Sequence, residues 1–200
     1  MPDIDAWNAR YRDDNTPWDL GAAPLSLQRL IAEVSDPGRQ LQVLVPGAGR
    51  GHDARAWARA GHRVVAVDFA PLAIAEGRAL AEAEGVAVDF VQADVTALPQ
   101  DWTDRFDLAW EQTCLCALEP QARRGYLGEL ARVMTPGGQV FAVLWQHGRD
   151  GGPPYDMNEA AVREAIEGHF RVRERTRIPD PSKGRDGEWL WTLALESASG

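Results

Sequence analysis

The sequence holds little cysteine: Cys114 and Cys116 are the only two among 200 residues, and they stand too close together to staple a fold. A disulfide scaffold is excluded, and the thiols fit a reducing, cytoplasmic setting. No apolar run approaches the roughly 18 residues that cross a bilayer, so no membrane partner is expected. The opening Met1-Pro2-Asp3-Ile4-Asp5 is acidic and lacks an apolar stretch, and no signal peptide is expected. Positive charge is scarce as well, with 21 Lys and Arg against 30 Asp and Glu and a net charge of −9. That field repels phosphate backbones, so nucleic acid is not an expected partner, although the same charge also serves plain solubility. The four histidines, His52, His62, His147 and His169, form no ligand spacing, and the Cys-x-Cys pair has no histidine in a metal pattern. No metal is expected, and the two cysteines read as buried structural residues.

What is present is ordinary for a globular protein: 44% hydrophobic and 26% charged residues. Two hundred residues suit one domain, large enough to bury a core and keep a cleft. Residues 1–38 differ from the rest. Trp7, Tyr11 and Trp18 stand among charges, and an apolar-periodic stretch runs from Leu25 to Val34. This predicts a short helix, a loop at Thr16-Pro17-Trp18-Asp19-Leu20-Gly21 and a second helix.

From Leu41 the pattern alternates. Strands are predicted at Leu41–Val45, Arg63–Val67, Val86–Val91, Phe106–Trp110 and Gln139–Trp145, and near Val172 and Leu190–Leu195. Helices are predicted at Asp53–Arg59, Pro71–Glu84, Gln121–Met134 and Met157–Gly168. The nearly continuous apolar run Val64-Val65-Ala66-Val67 suits a strand covered on both faces. The expected fold is therefore α/β: a mostly parallel sheet with helices on both faces.

Val45-Pro46-Gly47-Ala48-Gly49-Arg50-Gly51 joins the first strand to its helix. Ligands of open α/β sheets bind outside the carboxyl ends of strands, and glycines there let a ligand reach the backbone. A tight turn alone would give the same pattern. Asp68 adds weight: it ends the second strand, where a carboxylate can accept both hydrogen bonds of a ribose diol. Asp94-Val95 follows the third strand, placed to accept from an adenine amino group or simply to cap a turn. A dinucleotide fingerprint would put its third glycine or alanine at His52, whereas here it comes at Gly51. Nor is there a Tyr-x-x-x-Lys pair, since Tyr11, Tyr126 and Tyr155 are followed four residues on by Asn15, Leu130 and Glu159. The spacing favours S-adenosylmethionine over a nicotinamide cofactor.

At this point several motifs meet in order. They are Trp7-x-x-x-Tyr11 with Thr16-Pro17-Trp18-Asp19-Leu20-Gly21, then Gly47-Ala48-Gly49-Arg50-Gly51-His52-Asp53, then Cys116-Ala117-Leu118-Glu119-Pro120, then Gly151-Gly152-Pro153-Pro154-Tyr155. Across nearly its whole length the chain resembles the thiopurine S-methyltransferase superfamily of class I methyltransferases, and most closely its thiol and halide methyltransferase branch. The resemblance implies a Rossmann-like, seven-stranded sheet with an N-terminal helical cap. It also implies transfer of a methyl group from S-adenosylmethionine, with S-adenosylhomocysteine as product, to a small nucleophile such as a thiol, bisulfide or halide. Methylation of oxygen or nitrogen on a small molecule, and S-adenosylmethionine binding without catalysis, are the alternatives.

The resemblance implies cofactor contacts from Trp7, Tyr11, Trp18, Gly47, Ala48, Gly49, Asp68, Phe69, Asp94, Val95, Glu111 and Gln112. Aromatic faces attract a sulfonium at about 0.5–2 kcal/mol each. Trp18, Gln112, Thr113, Trp145 and Tyr155 are expected to line the substrate pocket, with Arg149 near its mouth. Gln112 departs from the pattern, since the thiol and halide branch usually has tyrosine there and the thiopurine branch often arginine. A thiolate or halide needs no activation, so no dedicated base is expected; Glu111 and Asp14 are the candidates if a thiol must be deprotonated. A small-molecule substrate and a monomer are expected, with a weak dimer as the alternative.

Overall fold

The computed structural model describes residues 3–179 and 184–196; Met1 and Pro2, which enter the signal-peptide reading, lie outside them. Two compact units divide at Val95 and Thr96. The strands form one seven-stranded, mostly parallel sheet, the α/β fold that the strand–helix alternation predicts.

The first unit opens with helices α1 (Ile4–Arg12) and α2 (Leu25–Val34). The strands are β1 (Gln42–Pro46), β2 (Arg63–Asp68) and β3 (Asp89–Gln92), paired in parallel in the order β3-β2-β1. Between them run α3 (His52–Arg59) and α4 (Pro71–Glu84). The apolar runs of β1 and β2 are buried along almost their whole length, as strands of a doubly covered sheet must be. Helix α4 has the bounds predicted from Pro71 at its start and Gly85 beyond its end. Gly85 takes the left-handed conformation at φ 67°. Its N–H donates to Glu82 O, and that of Val86 donates to Ala81 O at 3.0 Å. This double closure keeps Val86 tied to the helix, so β3 begins at Asp89 instead of the predicted Val86.

The second unit contains β4 (Phe106–Gln112), α5 (Pro120–Val133), β5 (Met134–Trp145), α6 (Glu159–Ile166), β6 (Phe170–Arg177) and β7 (Glu188–Leu195). β5 lies parallel to β4, while β7 runs antiparallel to both β5 and β6. Met134, predicted as helix, starts the strand: it pairs with Phe106, and the partner then jumps to Gln139 opposite Leu108. The residues Thr135-Pro136-Gly137-Gly138 are thus a bulge within the strand, where proline can be tolerated. Helix α6 is shorter than predicted. Asn158 caps it by accepting from the Ala161 N–H at 3.0 Å, while the Met157 N–H donates to Trp145 O. Among the described residues no helix is long and apolar enough to cross a membrane.

Candidate active site

In the first unit the turn after β1 is held by glycine. Gly47, Gly49 and Gly51 have φ of 60°, 54° and 70°, a region in which a side chain is strained. Gly49 is also crowded, for a Cβ there would lie 3.1 Å from the Tyr11 hydroxyl. Its N–H donates to Asp68 Oδ2 at 2.9 Å, and the Ala70 N–H donates to Asp68 Oδ1 at 2.9 Å. Asp68 is only 6% exposed. Burial pushes its carboxyl up from the ordinary range, against the opposing pull of the Ala70, Gly49 and Phe69 N–H groups. In the two bonds of 2.9 Å each oxygen accepts from one N–H and keeps a further lone pair. The carboxylate is therefore fixed in orientation while retaining the capacity to accept from a diol. The Ala93 N–H donates to Asp68 O at 3.1 Å, which sets the segment leading to Asp94 and Val95 beside the end of β2.

The predicted aromatic residues gather at the same place. Trp7 and Trp18 pack edge-on with centroids 5.0 Å apart, Tyr11 lies 5.9 Å from Trp18, and Phe69 lies 6.5 Å from Trp7. Tyr11 is buried against Ala70 and Ala73, with Trp18 and Leu72 packed alongside. Asn8 adds a polar tie by accepting from the Leu72 N–H at 3.0 Å. Arg10 lies 5.4 Å from the Trp7 ring and 5.5 Å from that of Trp18, so part of their attraction for cations is already used within the chain.

Sequence reasoning passed over Arg50, which turns out to organise this region. Its guanidinium pairs with Asp14 at 3.2 Å, Asp19 at 2.8 Å and Glu76 at 2.6 Å, and donates to Thr16 Oγ1 at 2.8 Å. His52 Nε2 lies 3.0 Å from the other oxygen of Asp19. Burial acts to raise the Asp19 carboxyl, but hydrogen bonds from His52, Arg50 and the Gly21 N–H outweigh it and hold the group well below the usual range. Asp14, a candidate base, is an exposed residue with φ 49° that faces Arg50. The available signal was the alternation of acids across Asp14, Asp19 and Glu76 around one arginine, which spacing alone does not reveal.

In the second unit Glu111 and Gln112 end β4, and Thr113 follows with φ 63°. A β-branched residue in that region is strained. Glu111, 1% exposed, holds the turn together: its Oε1 accepts from the Cys114 and Leu115 N–H groups at 2.8 and 2.7 Å. Its Oε2 is buried without a hydrogen-bond partner. Burial pushes the Glu111 carboxyl up to about 7, against the opposing N–H groups of Leu115 and Cys114. Gln112 Oε1 is likewise buried without a partner. Both cysteines are unoxidised and buried, and burial, then the Glu111 charge, pushes the Cys116 thiol up to about 12.

The other expected pocket residues separate into three places. Tyr155 is seated on the turn after β4, its N–H donating to Cys116 O at 2.7 Å. Trp145 is drawn elsewhere: its Nε1–H donates to Asp186 O, and its ring packs on His147 and carries Arg149 at 4.9 Å. Arg149 is thus a stacked arginine. Trp18 belongs to the first unit, packed on Trp7 and Tyr11. Among the described residues no cluster of three or more His, Cys, Asp or Glu side chains is arranged for a metal ion.

Comparison with known proteins agrees with this geometry. The family model described as thiopurine S-methyltransferase matches residues 2–185. Thiocyanate methyltransferase 1 of Arabidopsis thaliana is 31% identical over 165 residues, spanning 80% of this chain and 70% of that protein. The Burkholderia thailandensis 1,6-didemethyltoxoflavin-N1-methyltransferase, solved with its substrate and S-adenosylhomocysteine, superposes with a TM-score of 0.76. It is 28% identical, and the match covers 97% of this chain and 87% of that one. A protein solved in work on the conversion of a disulfide bond into a thioacetal group during echinomycin biosynthesis shares the fold. Its TM-score is 0.82 at 23% identity, covering 98% and 94% of the two chains.

Proposed function

The chain belongs to the thiopurine S-methyltransferase family, and from that premise we propose that it methylates small thiols, bisulfide or soft monoanions such as halides. It is an S-adenosylmethionine-dependent methyltransferase of small nucleophiles. When bound, S-adenosylmethionine supplies an electrophilic methyl group on a sulfonium.

The observation that carries our assignment of cofactor contacts is the doubly anchored Asp68 carboxylate beneath the aromatic segment. Asp68 accepts from the ribose diol through the lone pairs its backbone bonds leave free. Gly47, Ala48 and Gly49 would let the ligand approach the main chain, and Trp7, Tyr11, Trp18 and Phe69 would exclude water and offer aromatic surface to the sulfonium. Asp94 and Val95 serve the adenine. Residues 1–38 act as a cap on the core of residues 39–200.

Glu111 and Gln112 present the turn after β4, with Thr113 and Tyr155 on the acceptor side. A thiolate or halide arrives as a competent nucleophile, so orientation and desolvation are the tasks left to the protein. Glu111 anchors the turn through Oε1, which accepts from two backbone N–H groups, and Oε2 is the oxygen through which it would act if a thiol had to be deprotonated. Two buried thiols that form no disulfide suit the cytoplasm, and a monomer suffices.

The test supplies S-adenosylmethionine with methanethiol, bisulfide, iodide, thiocyanate and a thiopurine, and reads S-adenosylhomocysteine. Turnover with at least one is expected. Silence on all, with turnover on a heterocyclic nitrogen, would move the acceptor to nitrogen.

A further inference from the structure

Three arginines are buried among the described residues: Arg55, Arg123 and Arg185. Arg55 pairs with Glu84 at 2.8 Å and Arg185 with Glu188 at 3.6 Å. Arg123 differs. It sits in the first turns of α5, 6% exposed, and its Nε donates to Leu118 O at 3.2 Å. Its Nη2 is buried with no hydrogen-bond partner, and no carboxylate pairs with it among the described residues. Glu119 and Glu164 act on it only at a distance. A buried cation without an anion is a costly arrangement, and one that a bound anion relieves.

The surroundings place this cation where an acceptor would enter. The guanidinium lies 5.1 Å from the Tyr155 ring, and Tyr155 is itself bonded to Cys116 O on the turn after β4. The segment carrying Tyr155 follows β5, the parallel neighbour of β4. Arg123 thus lies among the loops outside the carboxyl ends of two adjacent parallel strands, the edge at which sheets of this class bind ligands. The nearby Leu115, Cys116 and Leu118 are buried and apolar, with the Cys116 thiol held neutral. A weakly hydrated guanidinium in such a setting suits a weakly hydrated anion more than a strongly hydrated one.

We propose that Arg123 forms an anion subsite of the acceptor pocket, its free Nη2 binding the negative charge of a small, soft monoanion and so favouring anionic over neutral acceptors. This rests on the reading of the protein as a methyltransferase of thiols and soft anions, and the test separates the two. Thiocyanate is titrated calorimetrically into the protein loaded with S-adenosylhomocysteine, using wild type, Arg123→Gln and Arg123→Lys. The glutamine amide can still donate to Leu118 O but carries no charge. Saturable binding is expected in wild type, weakened at least tenfold in Arg123→Gln and by less in Arg123→Lys, which keeps the charge but not the weakly hydrated guanidinium. In turnover, Arg123→Gln should lose at least tenfold in kcat/KM with thiocyanate and less than twofold with the neutral thioether dimethyl sulfide.

Wild-type affinity for thiocyanate in Arg123→Gln, or equal losses with both acceptors, would overturn the subsite while leaving the methyltransferase reading intact. Binding through Arg123 without turnover of any sulfur or halide acceptor would uphold the subsite and overturn the acceptor class. If Arg123→Gln fails to fold, the wild-type Arg123 Nε–H resonance, assigned with Arg123→Lys, decides. A saturable shift with thiocyanate supports the subsite, and an unmoved resonance rejects it.

Discussion

Arg50 in the glycine turn and Asp19 in the N-terminal loop form a 2.8 Å ion pair, both side chains largely out of solvent. Through it the segment bearing Tyr11 and Trp18 is tied to the turn that Asp68 anchors. Asp19→Asn removes the charge that Arg50 and His52 share. Charge-assisted hydrogen bonds contribute about 1.5–3 kcal/mol, so S-adenosylhomocysteine affinity should fall about tenfold or more with faster dissociation. Stopped-flow release from wild type and variant measures it; unchanged release would separate the pair from the cofactor. The Asp19 carboxyl lies below its ordinary value of 3.8. The stabilisation it gives is therefore present above that value and lost as pH falls below it towards the lower folded value. Acid unfolding of Asp19→Asn should accordingly be less steep below pH ~4.

Asp68→Ala leaves the Gly49 and Ala70 N–H groups without their acceptor. Unsatisfied buried donors cost about 1–3 kcal/mol each, which lowers the melting temperature without dissolving the sheet. Cofactor affinity should drop more than tenfold by calorimetry, with unchanged far-ultraviolet dichroism. Wild-type affinity in this variant would rule out the ribose role.

Much of this arrangement was legible in the sequence because it is local. Gly47, Gly49 and Gly51 mark a left-handed turn, Asp68 ends an apolar strand, and Pro71 and Gly85 bracket α4. What escaped was set by partners distant in sequence. Arg50 reads as an ordinary loop arginine until Asp14, Asp19 and Glu76 converge on it. Arg123 reads as one more charge on an amphipathic helix, and only the fold shows it buried beside Tyr155. Met134 looked helical because its pairing with Phe106 is a sheet property invisible to periodicity. Trp145 and Tyr155 are close in sequence yet drawn to different neighbours, Asp186 and Cys116.

Gly77 lies inside α4, where alanine would ordinarily gain about 1 kcal/mol of helix propensity. A Cβ there would stand 2.5 Å from the Phe90 ring. Overpacking of a well-filled core costs about 1–3 kcal/mol, so the net effect of Gly77→Ala should be destabilising. Phe90 sits on β3, and a methyl at Gly51 would meet the same ring at 2.6 Å. The double variant with Phe90→Leu should recover part of the loss in urea unfolding. A stabilised single variant would show that the ring moves freely.

Glu111 tests positioning against base catalysis. Its carboxyl is raised from 4.5 to about 7 in the fold. Between those values the native state holds a proton that the unfolded chain has released, so this group makes stability fall as pH rises from about 4.5 to about 7. Glu111→Gln removes that dependence while keeping an oxygen for the Cys114 and Leu115 N–H groups. Relative to wild type, the variant should therefore gain about 3 kcal/mol in unfolding free energy between pH 4 and pH 8, the worth of the shift at 1.36 kcal/mol per unit. Urea unfolding at the two pH values checks it, and a difference that shrinks with pH would reverse the assigned sign. Because the turn at Thr113 stays anchored, kcat with a thiol should remain within about threefold. Glu111→Ala frees that turn, and relief of its strained φ should lower kcat tenfold or more. Loss of activity in Glu111→Gln equal to that in Glu111→Ala would instead make the carboxylate the base.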